Sequence, residues 1–319
     1  MNRRDLLLGG LTAALASALP SDAWGQAKSP GAPSKSAKVK KKRVLLFTKS
    51  SGYEHSVVKP DQKGTSVVER ALTDIGSKGD FEVTASKDGS IFTPERIATL
   101  DAFFFFTSGD LTQPGTDKNP PMTAEGKQLL LDAVHKGKGF LGVHSAADTF
   151  HTQPDPADLS QRYQNHGIHA DPYVQMLGTE LIGHGDPQKA KLIVADKEFP
   201  GMADFPDAWE LTEEWYSLKE FSADLHVLLV QNTAGMQGSF YQRRPYPSTW
   251  VRQYSRGKLF YTSLGHREET WADPLFLSML GGAFKWILGD LTVAFSDVTP
   301  NLQKVAPGYG DMPPAPKPR

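Results

Sequence analysis

The chain has 319 residues, no cysteine and a formal net charge of −1. The absence of thiols excludes a cysteine nucleophile, a disulfide framework and a thiolate metal site. We find no basic stripe that would suit nucleic acid, because the one concentrated positive run, residues 35–43, is typical of a solvated segment. No apolar stretch approaches the roughly 20 residues of a membrane span. The length suffices for one large domain or two small ones.

The first 27 residues have the features of an export signal. Arg3-Arg4 precedes the apolar run 6–19, and Gly25-Gln26-Ala27 offers a cleavage site. Residues 2–7 are similar to the bacterial twin-arginine signal, and the alternative is an ordinary secretory signal with two chance arginines. We therefore expect an exported protein, periplasmic or extracellular. Residues 28–42, rich in Pro, Ser and Lys, are predicted to be a disordered spacer.

Strand and helix patterns alternate along residues 43–290, which we predict to be the folded domain. The predicted strands are 43–48, 81–85, 102–106, 139–143, 191–195, 226–231, 249–254 and 258–263, the last two as a hairpin. The predicted helices are 63–75, 123–135, 172–177 and 273–288. This alternation favours an α/β fold, a mostly parallel sheet with helices on both faces. Residues 291–319 are predicted to be a Pro-rich tail packed loosely on the surface.

The stretch 139–148 carries the strongest functional signal. A short apolar strand stops at His144 and small residues follow, which is typical of a strand running into a sharp turn such as the nucleophile elbow. Such a turn lifts one side chain above the carboxyl ends of the strands, where open α/β sheets bind ligands. We expect His144 to be a metal ligand or a general base, the alternative being a buried histidine bonded to backbone. Asp148 either orients His144 or caps the next helix. A further hypothesis for the function is a hydrolase that uses Ser145 as its nucleophile.

Further polar candidates lie at predicted strand ends or in adjoining loops. Two or three histidines with one carboxylate, leaving a position open, form the common donor set of a catalytic divalent ion such as zinc or another first-row metal. The predicted metal ligands are His144, His184, Glu213 and His266. We expect one of Glu213 and Glu214 to point into the site, and we favour Glu213. Its carboxylate would bind the metal or transfer a proton. His55, in the loop after the first strand, is a candidate for substrate binding or for the surface.

Aromatic residues are frequent in the second half of the chain. Aromatic faces suit sugar rings, although core packing is the usual role of such residues. Trp215 and Tyr216, beside the two glutamates, are therefore the preferred candidates for contact with a small carbohydrate. Three histidines of the loosely patterned stretch 149–185, His151, His166 and His169, are interpreted as surface loop residues.

Five blocks in this order resemble the ThuA-like (trehalose utilisation) family over about residues 43–288. The blocks are Val44-Leu45-Leu46-Phe47-Thr48-Lys49 with Gly52-Tyr53-Glu54-His55, then 139–148, then Leu177-Gly178 with Gly183-His184-Gly185, then Thr212-Glu213-Glu214-Trp215-Tyr216, and Thr262-Ser263-Leu264-Gly265-His266.

The resemblance implies a flavodoxin-like sheet of the class I glutamine amidotransferase type. In those enzymes a cysteine occupies the elbow, whereas here His144 holds that position, so amidotransferase chemistry is not expected. The family is associated with sugar metabolism, and its neighbours include proteins that process 3-keto-glycosides. The resemblance therefore implies a metal-dependent hydrolase or lyase acting on a sugar or keto-glycoside. The alternative is a non-catalytic carbohydrate-binding or accessory protein.

Overall fold

The computed structural model describes residues 40–154, 161–290, 295 and 298–314. The predicted export signal, residues 1–27, lies outside these residues, as does most of the predicted spacer. The strands are β1 (Lys42–Phe47), β2 (Phe81–Ser86), β3 (Ala102–Phe105), β4 (Gly139–Val143), β5 (Glu180–His184), β6 (Gln188–Val194), β7 (Ala208–Glu213), β8 (Tyr216–Lys219), β9 (His226–Asn232), β10 (Tyr246–Tyr254) and β11 (Gly257–Thr262). The α-helices are α1 (Val67–Lys78), α2 (Pro94–Ala98), α3 (Ala124–His135), α4 (Pro172–Leu177), α5 (Pro274–Ile287) and α6 (Leu302–Val305). None of the helices among these residues is both long and apolar enough to cross a bilayer.

A nine-stranded sheet runs in the order β2-β1-β3-β4-β11-β10-β9-β6-β7. From β2 to β11 every neighbouring pair is parallel. The strands β3 and β4 are buried along their whole length, as expected for parallel strands covered on both faces. Beyond β11 each strand is antiparallel to its neighbour, beginning with the predicted hairpin of β10 and β11. The α/β sheet that the sequence predicts is confirmed.

Helices cover both faces of the sheet because consecutive strand residues point to opposite sides. Leu46 and Phe104 pack with α1 and α5 in one hydrophobic core. Phe47 and Phe105 pack with α3 and α4 in the other. Side-chain caps fix where these helices begin, as at Thr123, whose hydroxyl accepts a hydrogen bond from the Gly126 amide at 2.9 Å.

Three strands were not predicted from the sequence. The strands β5 and β8 form a separate antiparallel pair, with a register irregularity between Leu181 and Gly183. The strand β7 is an edge of the large sheet in which buried and exposed residues mix. None of the three has a continuous apolar run or a clean alternation, since charged or small residues interrupt β5 and β8 at buried positions. Glu213 nevertheless ends β7, and Glu214 lies in the link from β7 to β8.

Part of the C-terminal segment packs more closely than the loose surface tail that its composition predicts. Leu302 and Ala306 are buried in the core that contains α3. The Asn301 side chain bonds both the amide and the carbonyl of Val227 on β9, at 2.7 and 3.1 Å. Residues 298–314 are therefore part of the folded domain.

Candidate metal centre

The turn after β4 has the strained form that its sequence predicts. His144 opens a single 3-10 turn, His144–Asp148, with a φ of 47°, in the left-handed region that few residues other than glycine adopt. Gly142 allows this turn to approach, since a Cβ there would lie 3.2 Å from the side chains of Ala146 and Tyr261. The His144 side chain is fully buried. Such strain costs about 1–2 kcal/mol and is typical of functional sites.

The orientation of the His144 ring follows from its contacts. Its Nδ1 lies 2.8 Å from the Ser263 carbonyl oxygen, which can only accept, so Nδ1 donates to it and Nε2 points to the other side. Nε2 is buried without a hydrogen-bond partner among the described residues, yet it lies 3.3 Å from the Glu214 carboxylate oxygen Oε2. This close approach of a ring nitrogen to a carboxylate oxygen is favourable when a positive charge, a proton or a metal ion, lies between them.

His266 repeats this arrangement on the same oxygen. Its Nδ1 lies 3.1 Å from Glu214 Oε2 and is likewise buried without a hydrogen-bond partner in the described part of the chain. His55 completes the set, with its ring perpendicular to those of His144 and His266 at centroid distances of 4.9 and 5.2 Å. One donor atom from each of the four residues lies within 4.8 Å of the others. We call His55, His144, Glu214 and His266 the metal group.

The fold brings the metal group together at one edge of the sheet. His55, His144, Glu214 and His266 follow β1, β4, β7 and β11, which all run in the same direction. Their side chains therefore meet at the carboxyl ends of these strands, which is the usual ligand-binding edge of an open α/β sheet.

The electrostatics of the metal group favour a neutral His55 and an ionised Glu214. Burial, together with the charges of His144 and His266, lowers the pKa of His55 to about 2. Burial raises the pKa of Glu214, but its contacts with His144 and His266 outweigh burial and hold that pKa well below its usual range. Burial lowers the pKa of His266, but the Glu214 carboxylate outweighs it, so the pKa is raised. His55 is thus neutral and Glu214 ionised near neutral pH, whereas the raised pKa of His266 favours a proton that a bound cation would displace.

His184 lies beside the metal group. Its Nδ1 is 3.2 Å from Glu214 Oε1 and 3.2 Å from the Gly185 carbonyl oxygen. Both neighbours accept, so Nδ1 is the donor in these contacts. The side chain is 43 % exposed and stacks on Tyr216 at 5.7 Å. The sequence predicted His184 to be a metal ligand. The structure places it instead at the rim, outside the metal group.

The preference for Glu213 over Glu214 is corrected by the structure. Glu213 is fully buried, and its Oε2 accepts hydrogen bonds from the Gly265 amide at 3.0 Å and the Thr270 hydroxyl at 2.7 Å. Its Oε1 accepts from the Arg267 amide at 3.2 Å. Glu213 therefore fixes the loop that carries His266, while Glu214, the next residue, enters the metal group. Neighbouring side chains at the end of a strand point to opposite sides, so only one of the two glutamates can face the metal group.

Asp148 does not orient His144, because the Ser263 carbonyl does. Its carboxylate lies 2.8 Å from His151 Nε2, and His151 Nδ1 lies 3.1 Å from Glu180 Oε1. His151 is buried, which corrects its interpretation as a surface residue. Neither Asp148 nor His151 belongs to the metal group, and together they tie the turn after β4 to β5.

The two predicted sugar-binding aromatics are buried. Trp215 has no exposed surface, and its indole donates to the Gln188 carbonyl at 2.7 Å. Tyr216 is also buried and packs on the His144 ring at 4.2 Å, so it forms the wall behind the metal group. Among the described aromatic rings that contact the metal group, Tyr53 is open to solvent, 4.9 Å from His55. Its place in the block Gly52-Tyr53-Glu54-His55 was the sequence signal for it.

The Ser145 hydroxyl is also buried and has no hydrogen-bond partner among the residues described. A serine nucleophile needs a base within hydrogen-bond reach. The geometry therefore does not support the serine-hydrolase reading.

Comparison with known proteins agrees with this fold. Residues 43–287 match the family described as ThuA, trehalose utilisation. A ThuA-like protein from Bacteroides uniformis ATCC 8492 is 19 % identical, with a TM-score of 0.55 over 81 % of this chain and 95 % of its own. Another from Parabacteroides merdae ATCC 43184 is 19 % identical, with a TM-score of 0.50 over 78 % of this chain and 90 % of its own. No curated protein matches.

At this identity the two solved structures show a shared fold, whereas the family match covers most of the chain. The match links the chain broadly to carbohydrate utilisation. It also contains all four residues of the metal group. The chain belongs to the ThuA family.

Proposed function

We propose that this protein is a metal-dependent enzyme that acts on a sugar or keto-glycoside. His55, His144, Glu214 and His266 would hold one divalent ion, zinc or another first-row metal. The observation that carries this proposal is the convergence of two buried ring nitrogens, His144 Nε2 and His266 Nδ1, on a single oxygen of Glu214.

The donor chemistry fits such an ion. A buried polar atom without a partner costs about 1–3 kcal/mol, and one cation bound between these two nitrogens and Glu214 Oε2 would satisfy both of them. Ligands about 2.0–2.1 Å from a tetrahedral zinc ion lie about 3.3 Å apart. The contacts of His144 and His266 with Glu214 Oε2, at 3.3 and 3.1 Å, match that spacing. Three imidazoles and one carboxylate suit a first-row metal without thiolates.

The surrounding residues supply what a hydrolytic or lyase reaction needs. When bound, the ion would polarise a carbonyl or lower the pKa of a water molecule. Glu214 uses its second oxygen, Oε1, to hold the half-exposed His184 side chain at the rim. His184 can there accept a proton from the substrate and return it. The buried ring of Tyr216 supports both His144 and His184 and excludes water from behind them.

The test compares metal content and turnover in the mature protein and in His144→Asn. Asparagine tolerates the left-handed backbone of this position, so the turn should persist while the ligand is lost. His226→Asn is the control, because it removes a buried histidine outside the metal group. We expect about one ion per chain in the wild type and the control, none in His144→Asn, and turnover of a keto-glycoside only where the ion is present. Full activity in His144→Asn would contradict the proposal, and sugar binding without metal or turnover would favour a carbohydrate-binding module.

We further propose that the protein is exported through the twin-arginine route, on the basis of the Arg3-Arg4 pair and the apolar run after it. Replacing both arginines by lysine should leave the protein in the cytoplasm. The measurement is the distribution between periplasmic and cytoplasmic fractions, and unchanged export would refute this route.

A further inference from the structure

Tyr53 presents an open aromatic face next to the metal group. Its side chain is 66 % exposed, and its ring lies edge-to-face against His55 at 4.9 Å. Across the described residues, the other large apolar side chains that stand exposed are Ile168 and Ile193. A single exposed apolar residue is common on proteins, so the position of Tyr53 needs support from a second observation.

The backbone beneath Tyr53 is held in place. The amides of Ser51 and Gly52 donate to the Ser108 carbonyl at 2.8 and 3.1 Å, and the Ser108 hydroxyl donates to the Tyr53 carbonyl at 2.7 Å. Gly109 makes this approach possible, since a Cβ there would lie 2.5 Å from the Gly52 nitrogen. The exposed ring therefore stands on a fixed loop, and a ligand that used it would lose little of its binding energy to ordering the protein.

We propose that Tyr53 forms a sugar-stacking subsite, in which a ring of the carbohydrate held at the metal group lies against the open part of the tyrosine ring. The proposal rests on the proposed function and specifies how its substrate is bound. The apolar C–H face of a pyranose complements an aromatic face, while its hydroxyls remain in water. Trp215 and Tyr216 cannot offer such a face because both are buried. Of the aromatic rings that contact the metal group in the described structure, Tyr53 is the one exposed to solvent.

The experiment measures trehalose binding to the metal-loaded protein by titration calorimetry, together with metal content. The variants are Tyr53→Ala and Tyr53→Phe, with Ile193→Ala as the control. Ile193 is also exposed, but it pairs with Ala208 at the start of β7, whereas Glu214 follows the end of that strand. We expect Tyr53→Ala to raise the Kd roughly tenfold and to keep the metal. Tyr53→Phe and Ile193→Ala should bind trehalose as the wild type does.

Two results would overturn the subsite. One is unchanged trehalose binding in Tyr53→Ala, and the other is no trehalose binding by the metal-loaded wild type. Failure of the proposed function is a separate result. If the protein held no metal but still bound trehalose through Tyr53, the subsite would stand and the metal-dependent enzyme would not.

Discussion

The adjacent residues Glu213 and Glu214 allow one prediction that separates support of the fold from metal binding. The substitution Glu213→Gln keeps the shape of a fully buried side chain but replaces one carboxylate oxygen by an NH₂ group. Placed at Oε1, that group would face the amides of Glu214 and Arg267, which are both donors. Placed at Oε2, it would still face the Gly265 amide, although the Thr270 hydroxyl could rotate to accept from it.

The better orientation therefore loses at least one hydrogen bond from a backbone amide to a buried carboxylate. Hydrogen bonds to charged groups contribute about 1.5–3 kcal/mol, and the remaining bonds weaken when the charge is removed. We expect the free energy of unfolding to fall by about 2–3 kcal/mol, and the Tm by roughly 4–10 °C for a domain of this size. Glu214→Gln removes no hydrogen bond from a backbone amide among the described residues, so the loop that carries His266 should keep its conformation.

The assay is urea unfolding of both variants after chelation, followed by measurement of zinc content after reconstitution. Glu213→Gln should be destabilised and, while folded, should still bind the ion. Glu214→Gln should remain folded and fail to bind it. If Glu213→Gln unfolded like the wild type but lost the metal, our assignment of the two carboxylates would be refuted.

Two further predictions concern buried side chains near the site. Burial raises the pKa of Glu180, but its contacts with His151 and Lys219 outweigh burial, so the pKa is lowered. The ionised carboxylate therefore stabilises the fold fully above the unfolded-state pKa, and this stabilisation is lost as the pH falls through the folded-state pKa. Glu180→Gln should therefore lower the free energy of unfolding by about 3 kcal/mol at pH 7. Denaturant titrations should show that the difference between the wild type and the variant becomes smaller in acid, and a difference independent of pH would contradict the reasoning. Trp215→Ala should lower the free energy of unfolding by about 3–5 kcal/mol because it leaves a core cavity. Trp215→Phe should bind trehalose with the wild-type Kd, and a large loss of binding in this variant would show that Trp215 contacts the sugar.

Local sequence patterns were sufficient for the parallel half of the sheet and for the turn at His144. The buried runs of β3 and β4, the cap at Thr123 and the small residues after His144 each act within a few positions of the chain, so their effect is readable without tertiary structure. The hairpin of β10 and β11 is readable for the same reason.

The parts of the site that depend on distant contacts were not predictable in this way. The choice between Glu213 and Glu214 depends on where β7 ends, and a shift of one residue exchanges the two sides. The burial of Trp215 depends on Gln188, which is 27 positions away in sequence. The orientation of His144 is set by Ser263, the residue after β11, which lies next to β4 only in the folded sheet.

The four members of the metal group are distributed from residue 55 to residue 266, across almost the whole folded domain. No short fragment of the chain can contain the complete donor set, and the set is assembled only once β11 has paired with β4 and β7 has joined the far edge of the sheet. Binding of an ion would therefore report that the whole topology is in place. Because such an ion binds the native state alone, it would also resist the opening of any of the four loops, and so would couple the local stability of both halves of the sheet.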